Sequence, residues 1–243
     1  MPATARKRDS LDAPFYGLLA LTAVAVVWEL YYIFLVAPIE ARMGIVQKIF
    51  YFHVPSWYAM YIGAGACFLG SLAYLIRATD ARDAFARAGA EVAVVFGAIG
   101  LITGPLWGAK AWGSFWTWDP RLTTALLSFL IYVAYLVLRA FAGDGTGEKR
   151  FSAALGVLGA ANLPIIHYSV QKWGGQHPMV ITGSGGGLQH PAMKLALGGG
   201  FLCFTLIAAL MLWARARVEL AQSRLARAEA DAIDLGLDTR TEG

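Results

Sequence analysis

Imidazole is the side chain in this sequence best suited to hold a transition metal, because its neutral ring offers a nitrogen lone pair and titrates near neutrality. The chain has four histidines. His53 sits in Tyr51-Phe52-His53-Val54-Pro55 and His177 in Trp173-Gly174-Gly175-Gln176-His177-Pro178. His167 follows Leu163-Pro164-Ile165-Ile166, and His190 stands in Gln189-His190-Pro191. A lone histidine at a helix end is more often structural than ligating, so none of these makes a metal site alone. His167 lies within an apolar run, where an ionisable group is costly and often functional. A hydrogen bond to a neighbouring helix would also account for it. His190 reads as incidental.

The second concentration of chemistry is Trp107-Gly108-Ala109-Lys110-Ala111-Trp112-Gly113-Ser114-Phe115-Trp116-Thr117-Trp118-Asp119-Pro120-Arg121, which holds four of the eight tryptophans. Trp and Tyr favour the membrane–water interface, so an aromatic belt is one reading. Belt residues are spread among helix ends, however. Four in one loop, with Gly108 and Gly113 allowing close backbone approach, also fit a flat platform for a planar, mostly apolar ligand such as a porphyrin. Asp119 before Pro120 has the form of a helix N-cap followed by proline at the first helical position. Arg121 and Lys110 could neutralise carboxylates such as porphyrin propionates, or could snorkel to the interface.

Motifs for catalysis are missing. Gly143-Asp144-Gly145-Thr146-Gly147-Glu148-Lys149 has neither the spacing nor the final hydroxyl of a phosphate-binding loop, so any ATP-driven step needs another subunit. No H-E-x-x-H, nucleophile elbow or C-x-x-C-H occurs. The expectation is a protein that is not an enzyme and not itself a c-type cytochrome. Cys67 and Cys203 lie in apolar runs and read as small packing residues.

These residues must be positioned by apolar helices. The chain is 243 residues long, 58% hydrophobic and only 15% charged, with a mean hydropathy of +0.55. Its charges cluster between runs of the about 20 apolar residues that a spanning helix needs. Six runs are read as spans, at 15–36, 55–76, 88–106, 121–142, 151–170 and 192–214, giving an all-α membrane protein with little left for a soluble domain. The first run is too long for a signal-peptide core and reads as a retained span. Pro55 and Pro120 suit the first turns of helices, and Pro164 should kink the fifth span. Glu29 falls in the first span without an assigned partner, and Glu91 at an interface.

Orientation follows from basic residues in the loops. Arg6, Lys7, Arg8, Arg77, Arg82, Arg87, Arg139, Lys149, Arg150, Arg215, Arg217, Arg224, Arg227 and Arg240 fall on one side. Arg42, Lys48, Lys110, Arg121, Lys172 and Lys194 fall on the other, a division of 14 to 6 among the 20 basic residues. Both termini are therefore expected in the cytoplasm, with residues 1–214 as the membrane domain and 215–243 as a charged cytoplasmic tail. On this topology all four histidines and the tryptophan segment face outward. The net charge of +4 is explained by topology and implies no nucleic-acid partner.

The run Trp107-Gly-x-x-x-Trp112-Gly-x-x-Trp116-x-Trp118-Asp119-x-Arg121 resembles the WWD segment of haem-handling proteins of cytochrome c biogenesis. Its length and span count are similar to the CcmC family, as are the contexts of His53 and of Asn162–Val170. The likeness covers residues from about 45 to 210. It implies haem b bound at the periplasmic face of the bacterial inner membrane over Trp107, Trp112, Trp116, Trp118, Asp119 and Arg121, with His53 and His177 as axial ligands. It also implies delivery to the haem chaperone CcmE, and association with the ATP-binding cassette subunits CcmA and CcmB and the small CcmD. The stretch Gly183-Ser184-Gly185-Gly186-Gly187 departs from the family pattern and reads as a mobile lid or insertion. Three other readings stay open: a permanent electron-transfer cytochrome b, a permease, and a structural subunit whose aromatic loop binds protein.

Overall fold

Apolar runs in a bilayer must satisfy their backbone groups internally, and this chain does so with helices. The computed structural model describes residues 12–141, 145–175, 177 and 188–236. Among them are six helical stretches long and apolar enough to cross a membrane: Ala13–Val36, Ile45–Ile76, Asp80–Trp112, Pro120–Phe141, Thr146–Trp173 and Pro191–Asp234. The described residues form no strand, only one isolated antiparallel bridge between Glu40 and Gly44. The protein is an all-α, multi-pass membrane protein. Arg6, Lys7, Arg8, Arg240 and the glycine-rich stretch 183–187 lie outside the described residues.

Helix α1 (Asp12–Tyr31) continues through a π-helical turn, Tyr32–Val36. Its last carbonyls are not left bare: buried Lys48 donates from Nζ to Ile33 O at 2.7 Å and to Phe34 O at 3.1 Å. A cation at a helix C-terminus also suits the helix dipole. Lys48 belongs to a 3₁₀ turn, Ile45–Ile49, that leads into α2 (Phe50–Ile76). Glu29 on α1 is buried against α7, where Gly199 offers no side chain.

The second span thus begins ten residues before the sequence reading placed it. Pro55 is a helix-interior residue and does not sit in a first turn. It removes the N–H that would bond Tyr51 O, and α7 packs there through Gly200, where a Cβ would stand 2.8 Å from Tyr51 O and 3.0 Å from Pro55 Cγ. His53 therefore lies on α2 itself, not ahead of it.

Helix α3 (Asp80–Trp112) also outruns the expected span, at both ends. Trp107, Lys110 and Trp112 are its last turns, and only Gly113–Asp119 is loop. The stop is Gly113 in the left-handed region at φ 74°, its N–H donating to Ala109 O, the usual terminating device of a helix.

Helices α2 and α3 make the most extensive pairing in the molecule. Their interface is a stripe of small residues, the means by which membrane helices approach closely. A Cβ at Gly63 would stand 2.5 Å from Ala93 N, and one at Gly70 2.7 Å from Ala86 N. Around this seam lie buried Met60, Cys67, Phe96, Tyr132 and Tyr135, so Cys67 has the packing role expected of it.

Helix α4 (Pro120–Phe141) starts as predicted, with Pro120 at its head. The fifth span is two helices, α5 (Thr146–Ala160) and α6 (Asn162–Trp173). Pro164 cannot donate to Ala160 O, so the helix restarts and Pro164 falls in the first turn of α6, where a missing N–H costs little. Buried Asn162 braces the joint, donating to Thr124 O at 2.8 Å and Ser128 Oγ at 2.7 Å on α4. Helix α7 (Pro191–Asp234) runs unbroken through residue 215. It is capped by His190, whose Nδ1 accepts from Ala192 N at 3.1 Å. His190 is a helix cap.

Candidate functional site

At the end of the bundle where α2 begins and α3 ends, α2, α3, α4 and α6 enclose a cavity of about 420 Å³. Its size falls within the about 300–1,000 Å³ of small-molecule and cofactor sites. The walls are chiefly aromatic and aliphatic, with His53, Arg121, His167, Gln171 and His177 as the polar exceptions.

One wall is a step of glycines. Gly100, Gly104 and Gly108 recur every four residues on α3 and so share a face. Each lies under a ring: a Cβ would stand 2.6 Å from Trp57 Cε2 at Gly100, 3.0 Å from His53 Cε1 at Gly104 and 3.0 Å from Trp112 Cε3 at Gly108. Side chains there would push the indoles and the imidazole into the space they line. His53 and Trp57, four residues apart on α2, meet edge to face with centroids 6.4 Å apart.

The His53 ring is held from behind. Its Nδ1 lies 3.0 Å from Thr103 Oγ1, and Thr103 donates its hydroxyl to Ile99 O at 2.7 Å. Across the cavity, Asp119 organises the other side. Its Oδ1 accepts from Arg121 N at 2.8 Å, which is the predicted N-cap of α4, and its Oδ2 accepts from His177 N at 3.3 Å. One carboxylate thus fixes both a helix start and the chain beyond α6. Arg121 reaches back to the same region, donating from Nη2 to His167 O at 2.8 Å, with Nη1 3.4 Å from His177 Nδ1.

The tryptophans are not a flat platform. Trp107 and Trp112 meet at 83° with centroids 5.7 Å apart, and Trp116 and Trp118 at 81° and 5.7 Å. Edge-to-face contact is the geometry that the ring quadrupoles favour. Trp107, Trp112 and Trp116 line the cavity, with the Trp112 ring 6.3 Å from His177. Trp118 points away and is 75% exposed.

Three buried N–H donors around this cavity have no hydrogen-bond partner among the described residues: Trp107 Nε1, Trp116 Nε1 and Arg121 Nε. Such orphans are uncommon in a finished interior, and here they surround an apolar space. An apolar, planar body carrying carboxylates and a metal that takes imidazole would match the walls, the donors and the two histidines. The residues present fit haem.

The family model of CcmC, heme exporter protein C, matches residues 7–231. The chain belongs to this family. Relatives include heme exporter protein C of Bradyrhizobium diazoefficiens, 34% identical over 78% of this chain and 72% of that protein. That of Escherichia coli strain K12 is 34% identical over 84% and 82%, and that of Paracoccus denitrificans 30% identical over 86% of each. A ccmC-like protein of Marchantia polymorpha, named for cytochrome c biosynthesis, is 32% identical over 65% of this chain.

Of the residues singled out in the sequence, His53, His177, Trp107, Trp112, Trp116 and Arg121 meet at one cavity. Asp119 stands behind them, Trp118 outside. His167 lines the cavity, yet it is exposed and contributes its carbonyl to Arg121. Trp57, Thr103 and the glycine step had gone unremarked. Their signals were in the sequence: Trp57 is one helical turn after His53, and the four-residue glycine spacing marks a face.

Proposed function

We propose that the chain handles haem in cytochrome c biogenesis, binding haem b in this cavity with His53 and His177 as axial ligands to iron. Haem here is cargo. The reading is supported most by one observation, the meeting of His53 and His177 with three tryptophans and Arg121 around an apolar space. The tryptophans supply π faces and edges to a porphyrin. Arg121, with the unpartnered indole N–H groups, supplies donors for propionate carboxylates. Asp119 is a positioning residue that holds Arg121 and His177 in place. Exposed Trp118 lies at the lip, where an acceptor protein would approach.

The cavity end faces the periplasm of the bacterial inner membrane, both termini are cytoplasmic, and residues 215–243 form the cytoplasmic tail. The excess of basic residues at the opposite side supports this orientation. Haem passes from here to the chaperone CcmE. CcmA and CcmB supply ATP hydrolysis and CcmD completes the complex, since the chain has no phosphate-binding loop of its own and acts as a carrier, not an enzyme.

The test is an absorption spectrum of the detergent-purified protein, expressed with and without CcmE. A Soret band present alone and diminished with CcmE is expected. A band that never exchanges would make the protein a permanent cytochrome. No band under either condition would leave a structural subunit.

A further inference from the structure

The two cavity histidines present opposite faces of their chemistry. A threonine hydroxyl has one proton to give. Thr103 gives it to Ile99 O at 2.7 Å, with Gly100 O the next acceptor at 3.3 Å. Toward His53 Nδ1, 3.0 Å away, Thr103 Oγ1 is therefore an acceptor, and Nδ1 carries the hydrogen. In a neutral imidazole the other nitrogen then holds the lone pair. His53 Nε2 is ready to take a metal, in the way that a hydrogen bond at one ring nitrogen fixes and orients a ligating histidine.

His177 is set the other way. A guanidinium has only donors, so against Arg121 Nη1 at 3.4 Å its Nδ1 is the acceptor, and Nε2 carries the hydrogen. Its backbone is meanwhile tied to Asp119 Oδ2. For His177 to ligate through Nε2, the ring must move its proton to Nδ1 and give up Arg121, the same side chain that would meet a propionate.

We propose that the two ligands are unequal by construction: His53, preset by Thr103, is the standing ligand, and His177, engaged by Arg121 until haem arrives, is the ligand that makes and breaks. Thr103 is a positioning residue for His53. This inference rests on the haem reading above. It gives transfer an order, since a ligand that has an alternative partner in Arg121 can leave the iron without leaving its ring nitrogen unpartnered.

The test begins without haem. In protein labelled with ¹⁵N-histidine, the His53 signals are expected to report the Nδ1–H tautomer in wild type and in Thr103→Ser, and a mixture in Thr103→Val. The same proteins, titrated with haem, should show Thr103→Val binding about 10-fold more weakly, the lower end of what second-layer ligand partners contribute, with Thr103→Ser close to wild type. His177→Ala should retain haem as a five-coordinate, high-spin species, whereas His53→Ala should lose it. Wild type that binds haem while Thr103→Val matches it in tautomer and affinity would overturn the inference alone. So would His53→Ala and His177→Ala retaining haem equally. Wild type that binds no haem would overturn the inference and the haem reading together.

Discussion

The two ends of the helical bundle treat their polar groups in opposite ways. At the end away from the cavity, each of four carboxylates lies between two cations. Asp80 is flanked by Lys149 at 3.9 Å and Arg227 at 2.7 Å, and Asp83 by Arg139 at 2.9 Å and Lys149 at 3.6 Å. Glu91 lies between Arg87 and Arg215, and Glu219 between Arg87 at 3.0 Å and Arg215 at 2.8 Å. These bridges tie the start of α3 to the end of α4, the start of α5 and the second half of α7, and they involve nothing but the chain itself. At the cavity end, polar groups are sparse, and Trp107 Nε1, Trp116 Nε1 and Arg121 Nε have no partner among the described residues. Charge that is matched within the fold stabilises the fold. Polar groups left unmatched beside an apolar space are suited to something else that must bind there.

Mutations should separate the two ends. The largest effect expected is at the cavity: His53→Ala abolishes haem retention, read from the Soret absorbance of purified protein, while thermal unfolding in detergent changes little. Next is Arg139→Ala, which takes from buried Asp83 its partner at 2.9 Å. Breaking a buried pair costs about 3–5 kcal/mol, and Lys149 should hold the loss near the lower figure, seen as a lowered Tm with haem affinity unaltered in the protein that remains folded. Gly70→Val, at the α2–α3 seam, should cost about 1–3 kcal/mol as an overpacking change, again in Tm. Smaller still is Trp118→Ala, which should keep haem content and slow its appearance on CcmE. Smallest is Arg227→Ala. Its side chain is 70% exposed, and exposed pairs contribute about 0–1 kcal/mol, so Tm and haem binding should both stay near wild type. An Arg139→Ala protein that folds normally but loses haem would break the division between the ends.

Much of this arrangement was readable in the sequence, but unevenly. Six apolar runs announced six spans because the bilayer demands their length. Their ends did not follow, because polar residues can continue a helix once a partner satisfies them. Asp80, Asp83 and Arg87 extend α3 within an ion-pair cluster contributed by distant helices. Pro55 was misplaced for a related reason: α7 packs over this stretch of α2 through Gly200, a long-range contact that no local pattern shows. Asp119 and Pro120 were legible because capping is local. The tryptophans were legible as a cluster but not as a shape, since edge-to-face packing depends on where Gly113 stops α3. Thr103 was invisible because its meaning arises only from the ring of His53, fifty residues away, resting against it.

Ligation by both histidines is tested most directly by low-temperature electron paramagnetic resonance of ferric haem bound to the purified protein in nanodiscs, with His53→Ala and His177→Ala beside wild type. A low-spin bis-histidine signal is expected in wild type and is absent from both variants. The same signal persisting in both variants would contradict this ligation.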